Sequence, residues 1–203
     1  HFSVSLQLPE LLDETVPDAF TDLFIASAGY GLLGADSPVR HYSATFATGQ
    51  LDSVARLPAD LATWWQLLTE RPFGDAGQPR SIQALARQNP TRTILLIASP
   101  SYVQAMRQDL LAAKSALRAP GFLLILSSPC RNLDAALRAS LLPSNARLQA
   151  LVSGPRQSLH ARIARLLIKR AHEHDFDPAR ARKLLERRLV RGTAERPRAQ
   201  ARQ

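Results

Sequence analysis

Residues 93–126, TILLIASPSYVQAMRQDLLAAKSALRAPGFLLIL, decide the fold. Thr93 to Ala98 and Phe122 to Leu126 are short apolar runs bounded by Gly or Pro, the pattern of strands buried on both faces. Between them Val103, Met106, Leu110, Ala113 and Leu117 recur at spacings of three and four, one apolar stripe on a 3.6-residue period, which predicts a helix over 101–119 that Pro120 ends. A strand, a helix and a second strand in this order predict a βαβ unit and parallel pairing.

The same signature recurs along the chain. Leu23 to Ala26 and Leu148 to Val152 are also short apolar runs, and each of the four is followed at once by serine: Ser27, Ser99, Ser127 with Ser128, and Ser153. Helical patterns occupy 58–69, 81–89 and 132–142. The expectation is an α/β fold, a mostly parallel central sheet with flanking helices and a basic helical C-terminal extension. In such a sheet ligands bind outside the carboxyl ends of the strands, so the terminal serines should share a crevice. Ser99 or Ser101 should also cap the helix that follows, whose N-terminus offers free N–H groups to an anion.

The first run empties into the richest stretch of chemistry. Residues 27–42, SAGYGLLGADSPVRHY, carry Gly29, Gly31 and Gly34 and then Asp36, Arg40, His41 and Tyr42 around Tyr30. Glycine lets backbone approach a ligand closely, so this loop is the candidate site. Asp36 is the only acid within it, since Asp22 precedes the strand and Asp52 lies beyond Phe46. Asp36-Ser37-Pro38 also reads as a turn for local reasons, and His41 reads equally as a structural or phosphate-contacting residue.

Charge is lopsided. From Arg138 onward the chain carries 16 Lys and Arg against 5 Asp and Glu, whereas the preceding residues carry 10 against 12. Two helices account for much of it. Ser158 to Ala171 places Leu159, Ile163, Leu166 and Leu167 on one face and Arg162, Arg165, Lys169 and Arg170 elsewhere. Asp177-Pro178 opens a second helix, as an N-cap followed by proline at the first helical position, which carries Arg182 and Arg187 and runs to about Arg191. Clustered cations of this kind are the footprint of a polyanion binder, DNA foremost; a solvated Arg-rich face in a GC-rich genome gives the same composition. The expected organisation is an α/β domain over 1–153, a basic helical pair over 154–192, and a disordered tail over 193–203.

Several functions are disfavoured. There is no GxxxxGK[ST] loop, no GxGxxG, no paired-cysteine zinc spacing and no HExxH, so no cofactor or metal is expected, and His172 and His174 read as solvated. One cysteine, Cys130, excludes an internal disulfide and fits a reducing cytoplasm. No apolar run approaches the roughly 20 residues that span a bilayer. The adjacent Trp64 and Trp65 point to different faces of their helix, so at most one faces the core fully.

Ser27, Tyr30, Gly31, Leu32, Leu33, Asp36, Val39 and Tyr42 match the S-x-x-Y-G-L-L/I…D-x-I/V-x-x-Y pattern, and over about twenty residues the chain resembles YaaA-type peroxide-stress proteins and related small domains of bacterial defence and deazaguanine-modification clusters. The resemblance implies DNA binding, and through the defence members a likeness to uracil-DNA-glycosylase relatives that remove modified bases. The GQDPYH and HPSPL motifs of ordinary uracil glycosylases are missing. On the residues themselves, Tyr30 or Tyr42 would stack a flipped base, with Ser27, Gly29, Gly31, Ser99 and Ser128 lining the site. Asp36 would orient water or stabilise a cationic sugar, His41 would assist the departing base, and Arg40, Arg162, Arg165, Lys169, Arg182 and Arg187 would hold phosphate. Two further functions fit the same residues: a non-catalytic DNA-binding protein of the peroxide-stress type, and a nucleotide-binding module.

Overall fold

In a computed structural model the described residues are 22–71, 77–145, 148, 152, 155, 158–173 and 177–194. They form a mixed α/β structure. Its centre is the parallel pair of β3 (Ile94–Ile97) and β4 (Leu123–Leu126), in register from Ile94 opposite Leu123 to Ile97 opposite Leu126. The chain between them crosses over through helices α3 (Pro100–Ala105) and α4 (Arg107–Ala116), as the βαβ pattern predicts. A parallel bridge from Ile125 to Leu141 adds a third position beside β4.

Because strand side chains alternate between faces, this small sheet divides the core in two. Ile94, Leu96, Leu123 and Ile125 face a cluster with Val103, Met106, Leu110, Ala113 and Leu117, the whole predicted stripe of the crossover. Leu95, Ile97, Leu124 and Leu126 face a second cluster with Leu159, Ile163 and Leu167 of α6 (Leu159–Glu173) and Ala181 and Leu185 of α7 (Pro178–Ala194). The two basic helices therefore cover one side of the sheet. Asp177 accepts the Ala179 N–H at 2.8 Å at the start of α7, as its N-cap position requires.

The remaining α-helices among the described residues are α1 (Asp60–Glu70), α2 (Ile82–Gln88) and the single turn α5 (Ala135–Arg138). Asp109 of α4 ties three pieces together: its carboxylate accepts the N–H groups of Ile82 and Gln83 at 2.9 and 2.8 Å and the Trp65 indole N–H at 3.0 Å. Trp65 is buried, while Trp64 lies on the exposed side and donates its indole N–H to the Ala28 carbonyl at 2.8 Å.

Several expectations are corrected. The first apolar run forms β1 (Phe24–Ser27), which pairs not with a parallel neighbour but antiparallel with β2 (Gly31–Gly34), a segment read from sequence as loop. Gly31, at φ +80°, allows the chain to reverse there. The crossover helix breaks at Met106, whose ψ of 5° leaves the helical range, and ends at Ala116. Ser99 stands at the N-cap of α3, but its hydroxyl bonds Ser101 at 2.9 Å instead of capping. The segment 132–142 is helical only over α5, because Leu141 must extend to meet Ile125. Val152 donates its N–H to the Leu148 carbonyl at 3.3 Å; residues 149–151 of that run, and Ser153 after it, lie outside the described residues. Helix α7 continues through Gly192 to Ala194, a glycine costing a helix only about 1 kcal/mol. The tail from residue 195 lies outside the described residues.

Candidate functional site

The β1–β2 turn is built on Ser27. Its buried hydroxyl accepts the N–H groups of Gly29 and Tyr30, both at 3.1 Å, which closes the turn, and it lies 2.7 Å from the Tyr42 hydroxyl. A hydroxyl has one hydrogen and two lone pairs. With both lone pairs taken by backbone donors, Ser27 must give its hydrogen to Tyr42, and Tyr42 keeps its own hydrogen to donate outward. Tyr42 in turn covers the glycine: a Cβ built on Gly29 would lie 2.7 Å from Tyr42 Cδ2, so only glycine fits beneath the ring.

Tyr30 stands edge-on to Tyr42, ring centroids 5.0 Å apart and planes at 82°. Its hydroxyl accepts the Arg40 N–H and donates to the Arg40 carbonyl, both at 3.2 Å, and so fastens the returning chain to the turn. Arg80 reaches in from before α2, donating to the Tyr30 carbonyl at 3.0 Å and the Leu32 carbonyl at 3.5 Å; burial lowers its pKa.

On the other side lies Tyr102 of α3. Burial, then the neighbouring Tyr42 and Asp52, push its pKa up, against an opposing pull from the Ala28 backbone N–H. Tyr102 therefore remains a neutral phenol. Its ring packs edge-on against buried Phe46, centroids 4.8 Å apart. The chain from Thr45 to Ser53 doubles back through Gly49, at φ +80°. The Thr45 N–H donates to the Asp52 carbonyl at 2.8 Å and the Val54 N–H to the Thr45 carbonyl at 3.0 Å. That closure sets the Asp52 carboxylate beside Ser43, whose hydroxyl donates to it at 3.3 Å.

No protein family, curated protein or solved structure matches the chain. The geometry alone therefore sorts the residues. Ser27, Gly29, Tyr30, Gly31 and Tyr42 converge. Asp36 and His41 do not share their setting: Asp36 is exposed in the turn after β2, and His41 is exposed beside Tyr42 in sequence. Ser99 lies at the carboxyl end of β3, three residues before Tyr102, whereas Ser128 is exposed after β4, where its carbonyl accepts from Cys130 Sγ at 3.4 Å. Sequence reasoning missed Tyr102 and set Asp52 aside. The signal for Asp52 was Thr48-Gly49 ahead of it, a turn that folds the chain back.

Among the described residues no group of three or more His, Cys, Asp and Glu could hold a metal ion, and no helix is long and apolar enough to cross a membrane. The cations of α6 and α7 divide by role. Arg162 donates to the Pro155 carbonyl and Arg182 to the Ala139 carbonyl, each at 2.6 Å, so both anchor backbone. Lys169 and Arg187 are exposed, and Arg165 is half-buried.

Proposed function

We propose that this protein binds DNA and acts on one extruded base at the Ser27–Tyr42 turn, as a glycosylase that hydrolyses the N-glycosidic bond of a modified base. The observation that carries this is the pair of tyrosines at the turn. Tyr30 and Tyr42 are half-buried rings locked edge-to-face, and Tyr42 has a hydroxyl hydrogen left to donate. A flipped base needs aromatic surface and a few fixed polar groups, and both are present here in one place. The resemblance to YaaA-type and defence-associated proteins points the same way and suggests a role in the cytoplasm against modified phage DNA. Phosphate contacts belong to Arg165, Lys169 and Arg187, with Arg40 at the turn itself.

One observation favours the second function, DNA binding without catalysis: Asp36 and His41 both stand in solvent, where neither gains the reactivity that desolvation confers. Incubating the protein with phage DNAs that differ in cytosine modification and assaying abasic sites separates the two. Release of one modified base with unmodified DNA intact supports the glycosylase; binding with no release on any substrate supports the binding protein. Binding should also weaken steeply with salt, and replacing Arg165, Lys169 and Arg187 together by Gln should reduce the log–log slope by about 0.9 for each phosphate no longer neutralised. An unchanged slope would remove these helices from the interface.

A further inference from the structure

Tryptophan is highly buried in folded proteins, and of the two in this chain Trp65 follows the rule while Trp64 leaves 36% of its surface to solvent. Two contacts fix where that exposed ring stands. Trp64 donates its indole N–H to the Ala28 carbonyl at 2.8 Å. Four residues on, along the same face of α1, Leu68 lies so close to Gly31 that a Cβ built on the glycine would be 3.3 Å from Leu68 Cβ and from its carbonyl oxygen. Helix α1 is thus seated on the β1–β2 hairpin, and its other side is pinned by the bond from Trp65 to Asp109. The carbonyl that Trp64 holds belongs to the same peptide unit as the Gly29 N–H, which the Ser27 hydroxyl accepts at 3.1 Å, and Gly29 is the residue beneath the Tyr42 ring. Tyr30, Tyr42 and Trp64 therefore gather at the turn over 27–30.

Resting on the DNA binding proposed above for this turn, we infer that Trp64 stacks the nucleotide next to the extruded one, so that the site takes an unpaired stretch of single-stranded DNA. The two tyrosines stand at 82° to one another and form no parallel slot for consecutive bases. A second base needs a ring of its own, and Trp64 supplies it from the same peptide unit. Such stacking requires an unpaired strand, since a duplex keeps the faces of its bases against one another. The indole N–H is already given to Ala28, and indole has no acceptor, so Trp64 reads no base edge and its contact is independent of sequence. The hydrogen bond holds the ring before DNA arrives, so little side-chain freedom is lost on stacking. Arg40, exposed and with its backbone clamped by the Tyr30 hydroxyl at 3.2 Å, meets the phosphate at the same turn. A second copy of this chain is the competing occupant, since Leu67 on the next turn of α1 is also exposed. The Arg40 cation and the hydroxyl hydrogen that Tyr42 keeps favour a nucleotide over an apolar partner.

The full chain is titrated with oligo(dT), alone and annealed to oligo(dA), at several salt concentrations, beside the abasic-site assay; circular dichroism verifies folding of each variant. Trp65 is buried, so quenching of the tryptophan emission reports Trp64. Single strand should quench it, and duplex should leave it unchanged. Trp64→Leu keeps apolar bulk without a ring face and should bind single strand about 10-fold more weakly, by the same factor at every salt concentration because stacking releases no counterions. Trp64→Phe keeps a ring face but loses the bond to Ala28, and should bind within about threefold of the unmodified protein. Binding without quenching would overturn the assignment, as would unchanged affinity in Trp64→Leu or an equal loss in Trp64→Phe, the mark of a structural hydrogen bond. Emission that changes with protein concentration in the absence of DNA, with a dimer that Trp64→Leu dissolves, would give the ring to a second copy and overturn it too. If oligo(dT) binds with Trp64-dependent quenching but no modified DNA releases a base, the glycosylase function fails and Trp64 stands. If base is released while Trp64→Leu binds normally, Trp64 falls and the glycosylase stands; if no DNA binds, both fall.

Discussion

Replacing Gly29 by alanine tests the geometry of the turn more directly than any loss of a functional group. Gly29 is not in the positive-φ region, so its backbone tolerates a side chain, and the only obstacle is space. The three atoms nearest a Cβ there all belong to Tyr42, the closest at 2.7 and 2.9 Å, distances no real Cβ sustains. Tyr42 is half-buried, so its ring has to move aside toward solvent to admit the methyl. Doing so breaks its hydrogen bond to Ser27, worth about 1 kcal/mol, and its edge-on contact with Tyr30, worth about 1 kcal/mol more. The sum of about 2 kcal/mol corresponds to a fall in Tm of roughly 4–8 °C for a chain of this size. Thermal melts of Gly29→Ala, Tyr42→Ala and the double variant form a cycle. In the Tyr42→Ala background the three atoms nearest the added methyl are gone, so Gly29→Ala should be neutral or stabilise by about 0.5 kcal/mol through the unfolded chain. Equal destabilisation in both backgrounds, or none in either, would refute the packing of Tyr42 over Gly29.

Two further outcomes follow from polar contacts between elements. Asp109→Ala strips the acceptor from two backbone N–H groups and the Trp65 indole, and should cost about 2–4 kcal/mol, read as a lower Tm with a changed Trp fluorescence spectrum; Asp109→Asn, which keeps one acceptor oxygen, should recover part of it. The Arg107 guanidinium grips Asp134 and holds its carboxyl below the ordinary aspartate range. Because the folded pKa is the lower one, the contribution of this pair is complete above the unfolded carboxylate's pKa and is lost as pH falls through the folded value. Melts across the acid range should therefore show a shallower decline in Asp134→Asn than in the unmodified protein, and parallel curves would remove this pair from the acid response.

What could be read from the sequence follows from how local its causes are. The crossover from Ile94 to Leu126 was legible because its apolar stripe and its two flanking runs each repeat with the period of the element they form, and all five stripe residues are buried. Its break at Met106 was not, since a change in ψ at one fully buried residue leaves no mark on the pattern. The strand over 31–34 was misread for the opposite reason. Gly-Leu-Leu-Gly looks like loop by composition, and only the Ser27 hydroxyl accepting from Gly29 and Tyr30 reveals that the chain reverses and pairs with β1.

The same contrast governs the site. Ser27, Gly29, Tyr30 and Tyr42 lie within sixteen residues, and a hairpin brings neighbours of that spacing together whatever the rest of the chain does. Asp36 lies inside the same span, yet nearness in sequence is no guide to facing: after Gly34 the chain turns outward, with Ser37 bonded to Gln78 at 3.2 Å and Asp36 in solvent. Asp52 lies outside the span and reaches Ser43 because Gly49 lets the chain fold back between them. An acid chosen by distance along the chain and an acid chosen by the direction of the backbone are therefore different residues. Only the second is held at both backbone and side chain, by the Thr45 N–H and the Ser43 hydroxyl.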